Sequence, residues 1–387
     1  MFKRDTIARF QQTETPFYFY DLTLLNQTLK SCKTASEKFG FHVHYALKAN
    51  FNEQVLKAIE KIGFGADCVS GNEVKKAIEI GFDPGKVVFA GVGKSDKEII
   101  EALNNNIYCF NVESVQELGI INELAGKLGK KARVAIRINP NVDAHTHQYI
   151  TTGLEENKFG VNQWELNACT EELKRCENLK LTGIHFHIGS QITNLDVFKS
   201  LCVKVNELNT WFEEHGFNLE ILNVGGGLGV DYHYPDENPV NDFESYFTIF
   251  DKFLDRRAGQ EIHFELGRAL VAQCGSLISR ILYVKNGLKK NFLILDAGMT
   301  ELMRPALYQA YHKIENISSA SENIVKYDVV GPICESTDCF GKEVELPESS
   351  RGELIAIRTA GAYGEVMASG YNLRDRVKSI YSEAGLQ

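Results

Sequence analysis

FHVHYALK, residues 41–48, alternates two kinds of side chain with a period of two and ends on a lysine. Val43, Tyr45 and Leu47 share one face, and His42, His44, Ala46 and Lys48 share the other. Such alternation is expected of a strand whose two faces meet different surroundings. Seven further short apolar or β-branched runs follow: GADCV (65–69), KVVFAG (86–91), IYCFNV (107–112), RVAIRINP (133–140), LTGIHFHIG (181–189), LEILNVGGG (219–227) and EIHFELG (261–267). Most are separated by stretches of helical periodicity such as NEQVLKAIEKI, GNEVKKAIEI and KSDKEIIEALNN. That succession predicts a parallel β/α fold, and eight strands favour a closed (β/α)8 TIM-like barrel over an open doubly wound sheet.

Strand parity carries the reading further. Ile136 and Ile138 flank Arg137; Ile184, Phe186 and Ile188 interleave with His185 and His187; Ile262, Phe264 and Leu266 interleave with His263 and Glu265. The apolar set faces the helices and the polar set faces the barrel interior, an arrangement a purely structural core would avoid. Lys48, Asp67, Arg137, His187, Gly225–Gly227 and Glu265 fall at the C-terminal ends of their strands. Barrel enzymes assemble their active sites on that rim.

After about residue 272 the helical alternation gives way to LISRILYVKN, KNFLILDAG, NIVKYDVVG and GELIAIRT, which read as antiparallel strands. The expected organisation is a barrel over 22–272 and a mainly antiparallel β domain over 273–387, joined by residues 1–21. Residues 231–242 read as a loop. No run approaches the roughly 18 apolar residues of a membrane span, and the opening residues lack the apolar core of a secretory signal. The net charge of −9 disfavours nucleic acid as a partner. Nine scattered cysteines without a C-x-x-C pair suit a reducing compartment. A cytoplasmic enzyme acting on a small molecule is the expectation.

Several residues suggest chemistry. A lysine turned into a barrel is a good imine-forming nucleophile when its pKa is depressed. Gly225–Gly227 allow backbone amides close to a phosphate, and Gly267–Arg268 follow the neighbouring strand, where barrels often bind phosphate. Glu265 suits either a protonated pyridine nitrogen or a buried salt bridge with Arg137 as its partner. His187 suits ring stacking or an ordinary core hydrogen bond. The pairs His42/His44, His145/His147 and His185/His187 invite a metal, but no acidic or cysteine ligand is spaced to complete a site, so none is expected.

YALKAN, FGADCVSGNEV, HTHQYITTGLEENKFGVN, HFHIGSQI, NVGGGLGVDY, ELGR, GPICESTD and GAYGEVMASGYN, in this order over nearly the whole chain, resemble the motif series of the fold-type III pyridoxal-phosphate decarboxylases. The resemblance implies an alanine-racemase-like fold and pyridoxal 5'-phosphate as cofactor. It implies Lys48 as the Schiff-base lysine, His187 against the ring, Glu265 at the pyridine nitrogen, and Ser190, Gly226, Gly227, Gly267 and Arg268 around the phosphate. Asp67 matches a motif position near the cofactor lysine. Cys334 corresponds to the proton donor and Glu335 to a substrate-binding acid. Arg268, Arg304, Tyr308 and Tyr363 correspond to the remaining substrate or cofactor contacts. The implied assembly is a homodimer in which Cys334 and Glu335 enter the neighbour's site.

Among substrates, meso-2,6-diaminopimelate is expected, because an acid and arginines together suit its distal ammonium and carboxylate. The alternatives are a decarboxylase of ornithine, arginine, lysine or carboxynorspermidine, and a silent cofactor-binding homologue. A silent homologue is expected to lose the lysine, the proton donor or the phosphate contacts, and this chain keeps them. A racemase fits poorly with Glu265. The chain departs from the family in Leu266, where a proline is common, and in its modest length.

Overall fold

The computed structural model describes residues 2–141 and 158–382, so His145, His147 and most of the motif around them lie outside the described residues. Two compact units are present, Leu29–Gly229 with Asp242–Gly267, and Met1–Thr28 with Val230–Asn241 and Arg268–Gln387. The chain therefore passes between them four times rather than twice. Residues 230–241 contain no helix or strand and belong to the second unit.

After β1 (Phe17–Tyr20), eight strands close the barrel of the first unit: β2 (His42–Ala46), β3 (Gly65–Cys68), β4 (Val87–Phe89), β5 (Cys109–Val112), β6 (Ala132–Arg137), β7 (Leu179–His185), β8 (Ile221–Asn223) and β9 (Glu261–Leu266). Closure is made by β9 pairing with β2, which sets His42 opposite His263 and His44 opposite Glu265. Every neighbouring pair is parallel.

Local sequence signals fix the helices between the strands. Ser70 caps Gly71–Ile80 by accepting from the Glu73 amide, and Gly81 ends that helix at φ +111°, a conformation glycine adopts without Cβ strain. Ser95 and Glu98 form a capping box at the start of Asp96–Asn104. Burial on the outer face of the barrel then selects the arrangement. The Phe264 ring packs against Phe41, Tyr246, Phe247 and Phe250 at centroid distances of 5.2, 5.7, 4.8 and 4.9 Å. Each such ring removed from water is worth roughly 1.5–3 kcal/mol, so a one-residue slip that turned Phe264 inward is strongly opposed.

The strands are shorter than the apolar runs suggest, and one consequence concerns Lys48. β2 stops at Ala46, and Lys48 occupies a single 3-10 turn, Leu47–Ala49. The Tyr45 hydroxyl donates to the Asn50 carbonyl at 2.7 Å, and the Asn50 side chain accepts from the Asn52 amide, so the chain bends away before an eighth strand residue. His187 likewise lies beyond the end of β7.

The second unit contains β10 (Gly275–Asn286), β11 (Asn291–Leu295), β12 (Ile314–Asn316), β13 (Ile324–Val330), β14 (Cys339–Pro347), β15 (Leu354–Ile357) and β16 (Lys378–Tyr381). With β1 they make an eight-stranded sheet ordered β12-β15-β10-β11-β13-β14, β1 joining β10 and β16. Most pairs are antiparallel; β11–β13 and β1–β16 are parallel. Phe10, Phe17, Phe19, Ile278, Leu354 and Ala356 form an apolar cluster there, which ties the N-terminal residues to the sheet.

Candidate active site

At the C-terminal end of the barrel, Lys48 Nζ lies 3.7 Å from Oδ2 of Asp67, whose side chain is almost wholly buried. The lysine side chain retains 37% of its exposure, so it is a reachable amine rather than a buried one. Burial and then the negative charge of Glu265 push the Asp67 carboxyl up to about 8, against the pull of Lys48. Neither Asp67 carboxylate oxygen has a hydrogen-bond partner among the described residues.

Glu265 presents the opposite case. Its Oε1 accepts from Asn111 Nδ2 at 2.9 Å and from Asn223 Nδ2 at 2.8 Å, and its Oε2 lies 2.8 Å from His185 Nε2. Burial alone would raise this carboxyl, but His185, then Lys48 and Asn223, hold it well below the usual carboxylate range. Two buried acids of one barrel are thus driven apart, Glu265 ionised and Asp67 titrating near neutrality. His187 is pushed well below the ordinary histidine range by burial and by the charges of Lys48 and Arg137. An unprotonated imidazole suits stacking against an aromatic ring.

The salt bridge between Glu265 and Arg137 does not form. Arg137 Nη1 donates instead to Glu113 Oε1 at 2.8 Å, and the same carboxylate accepts from the Gly91 and Gly160 amides. Strand neighbourhood explains the choice, since Glu113 directly follows β5 and β5 pairs with β6, which ends at Arg137. Glu265 is already satisfied by residues of β5, β7 and β8. It keeps its charge free of any guanidinium among the described hydrogen bonds.

The glycines show why backbone is laid bare here. A Cβ on Gly226 would stand 1.9 Å from the Glu265 carbonyl oxygen, and one on Gly227, at φ +109°, would stand 2.8 Å from the Gly189 carbonyl oxygen. The Gly227 turn and the turn carrying Ser190 are therefore apposed, and Ile192 bridges to Leu228 just beyond. Gly267 packs on the Lys48 turn, where an added Cβ would lie 3.0 Å from the Ala49 methyl and 3.2 Å from that of Ala46. Lys48, Asp67, His187, Ser190, Gly226, Gly227, Glu265 and Gly267 accordingly belong to one end of one barrel.

The second unit holds Arg268 and Arg304. Arg268 and Arg304, both buried, donate to the same phenol oxygen, Tyr232 Oη, at 2.6 and 3.0 Å. Arg304 Nη1 also donates to His312 Nε2 at 2.9 Å, and His312 Nδ1 donates to the Arg358 carbonyl at 2.9 Å, so His312 is a neutral ring with a fixed tautomer. Burial opposes ionisation of Tyr232, but the two guanidiniums outweigh it and lower its pKa. The Arg268 guanidinium also lies over the Tyr363 ring, 4.9 Å from its centroid, and Tyr308 is close enough to act on its charge. Tyr363 itself sits at φ +56°, a strained position for a bulky residue.

Cys334 is the exposed thiol among nine free cysteines, seven of them buried. Beside it the Glu335 carboxylate accepts from the Tyr371 hydroxyl at 2.7 Å. Their loop is held at its base by Asp338, which accepts from the Ile333 and Met299 amides at 2.7 and 2.6 Å.

Tyr232, His312, Asn111 and Asn223 were not singled out by sequence. Asn111 and Asn223 carry a signal, an amide within a short apolar run. Tyr232 closes the NVGGGLGVDY motif without being marked out within it, and His312 lies outside any periodic element and any quoted motif.

The family described as pyridoxal-dependent decarboxylase, pyridoxal binding domain, matches residues 25–272. The diaminopimelate decarboxylase of Bacteroides thetaiotaomicron is 54% identical over 378 residues, 97% of this chain and 98% of its own length. The chain belongs to the pyridoxal-dependent decarboxylases. A second relative, the diaminopimelate decarboxylase of Aquifex aeolicus, is 41% identical over 96% of this chain and 87% of its own. The crystal structure of diaminopimelate decarboxylase from Helicobacter pylori complexed with L-lysine superimposes with a TM-score of 0.91 at 42% identity, covering 98% of this chain and 94% of that one. An arginine decarboxylase from a Chlorella virus shares the fold at 21% identity and a TM-score of 0.87.

The barrel residues fit pyridoxal phosphate. A carboxylate kept ionised by a buried network suits a protonated pyridine nitrogen, a reachable amine stands beside Asp67 at the same end of the barrel, and apposed glycine turns without Cβ atoms leave backbone open to a phosphate.

Proposed function

We propose that the protein decarboxylates meso-2,6-diaminopimelate at its D-configured centre, giving L-lysine and CO2 as the last step of lysine biosynthesis. The observation carrying the choice of substrate is the buried Arg304, braced by Tyr232 and His312. A fixed guanidinium suits a distal carboxylate and repels the distal ammonium of ornithine or lysine. Glu335 supplies the acid for the substrate's distal ammonium, and Tyr308 and Tyr363 add to the binding surface.

In this reading Lys48 would hold pyridoxal phosphate through its amine, with Asp67 beside it as a proton store. Pyridoxal phosphate, when bound, takes up the electron pair left on the α-carbon by the departing carboxylate. Glu265 would favour that withdrawal through its retained negative charge, and His187 would pack against the ring. Ser190, Gly226, Gly227, Gly267 and Arg268 anchor the phosphate. Cys334 Sγ delivers the proton that replaces CO2.

The exposure of Cys334 and Glu335 supports a homodimer in which this loop serves the partner's Lys48. A cytoplasmic location accords with nine free thiols, and no helix among the described residues is long and apolar enough to cross a membrane. The deciding experiment is CO2 release from meso-diaminopimelate, L-ornithine, L-lysine, L-arginine and carboxynorspermidine under one set of conditions. If any of the other four equals meso-diaminopimelate in kcat/KM, the substrate is wrong although the decarboxylase assignment stands.

A further inference from the structure

At the N-terminal mouth of the barrel, away from Lys48 and Glu265, lies a cluster that decarboxylation does not use. His42 is the ladder partner of His263 where β9 closes on β2, and Glu261 precedes His263 by two residues on the same face. One nitrogen of each histidine and one carboxylate oxygen of Glu261 all lie within 4.8 Å of one another. The His263 Nε2 to Glu261 Oε2 distance is 3.0 Å, close to the roughly 3.4 Å that separates ligand atoms around a tetrahedral ion with bonds of about 2.1 Å. His42 and Glu261 are exposed and can rotate the remaining ångström inward.

The hydrogen bonds behind the cluster orient it. His44 Nδ1 lies 3.0 Å from the Lys86 carbonyl, which can only accept, so that nitrogen carries a proton. The other ring nitrogen, His44 Nε2, lies 2.8 Å from His263 Nδ1. His263 Nδ1 is thus engaged by His44, and Nε2 is the ring nitrogen that faces Glu261. The 3.0 Å between His263 Nε2 and Glu261 Oε2 is bridged by one positive species, either a proton on the ring or a metal ion in its place. An imidazole whose far nitrogen donates to a second group is also how metal-binding histidines are generally held. The Tyr108 hydroxyl donates to Glu261 Oε2 at 3.2 Å, and its ring stacks on His263 at an interplanar angle of 7°.

We propose that His42, Glu261 and His263 bind one divalent cation of the zinc class at the N-terminal mouth of the barrel. Two imidazoles and a single carboxylate suit zinc, cobalt or nickel, whereas magnesium and calcium require several oxygen ligands that this mouth lacks among the described residues. Lys33 and Lys86 act on His42, and the Arg133 guanidinium covers Tyr108 at 4.8 Å, so positive charge surrounds the site and the Glu261 carboxylate is the ligand that offsets it. The ion joins the first and last barrel strands at the end opposite the cofactor. Its role is to fasten the closure, not to take part in decarboxylation.

The test uses full-length, cofactor-loaded protein freed of metal by a chelator and then dialysed. Zn2+ is titrated by calorimetry, Co2+ by its visible ligand-field bands, and thermal unfolding is followed with and without Zn2+. One equivalent per chain with a rise in Tm is expected. His42→Ala and Glu261→Gln should each lose that equivalent and the Tm rise while keeping cofactor content and kcat, which also shows that they fold. Tyr108→Phe should keep the stoichiometry and bind roughly tenfold or more weakly. The proposal is overturned if the wild type takes up no saturable equivalent, the outcome expected when a proton on His263 fills the gap. It is equally overturned if both variants bind as tightly as the wild type, which would move the ion to Cys334 or another group.

Discussion

Lys48 Nζ stands 3.7 Å from Asp67 Oδ2, an ion-pair distance at which the acid is nonetheless driven upward rather than down. Burial of Asp67 outweighs the lysine, and Glu265 adds to the push. The folded chain therefore holds a proton on Asp67 that the unfolded chain releases, from the ordinary value of 3.8 up to about 8. Stability from this group falls as pH rises through that window and levels off above it. Cofactor-free protein should lose Tm from about pH 5 to about pH 8, and Asp67→Asn should flatten the slope. Parallel Tm profiles for the two proteins would refute the assignment.

Glu265 acts through its negative charge, which Asn111, Asn223 and His185 keep in place. Glu265→Gln preserves size and most hydrogen bonding but removes that charge. A fall in kcat on the order of 10²–10³-fold is expected, comparable with the loss of one preorganised electrostatic group. Steady-state kinetics with saturating cofactor separate this from weaker cofactor binding. An unchanged kcat would show that the ring nitrogen does not depend on Glu265.

Arg304→Ala should lower kcat/KM for meso-diaminopimelate by tens to thousands of fold, the equivalent of about 2–5 kcal/mol for a buried charged contact. His312 positions Arg304 without reaching the substrate itself in this reading. His312→Leu should therefore raise KM by roughly tenfold, from a lost hydrogen bond to a charged group worth about 1.5–3 kcal/mol, with a smaller change in kcat. His312→Asn, which can still accept from Arg304, should recover part of the loss. Equal defects in both variants would assign His312 to packing alone.

Lys48→Ala should abolish turnover and the borohydride-reducible bond to the cofactor, and Cys334→Ala should abolish turnover but keep that bond. Mixed together, the two proteins form hybrids in which one site has both residues. Random exchange makes about half the dimers hybrid, so up to roughly a quarter of all sites regain activity. If subunits demonstrably exchange and no activity returns, the loop does not serve the partner.

Period-two alternation in residues 41–48, 181–189 and 261–267 was enough to determine the barrel and to turn His185, His263 and Glu265 inward, because side-chain direction along a strand is a local property. The glycine runs and the lysine were visible for the same reason, and ordered motifs over most of the chain carried the family. Tertiary structure alone decided the partners. Arg137 meets Glu113 because β5 lies beside β6, and Glu265 is served by Asn111, His185 and Asn223 from three different strands. Tyr232 gathers two arginines from a segment without periodicity, and Glu261 joins His42 across the seam where β9 returns to β2. Lys48 left its strand for a turn through the Tyr45–Asn50 hydrogen bond. Each of these depends on which strands become neighbours and in what register, a consequence of closing and packing the whole barrel that no local pattern of residues contains.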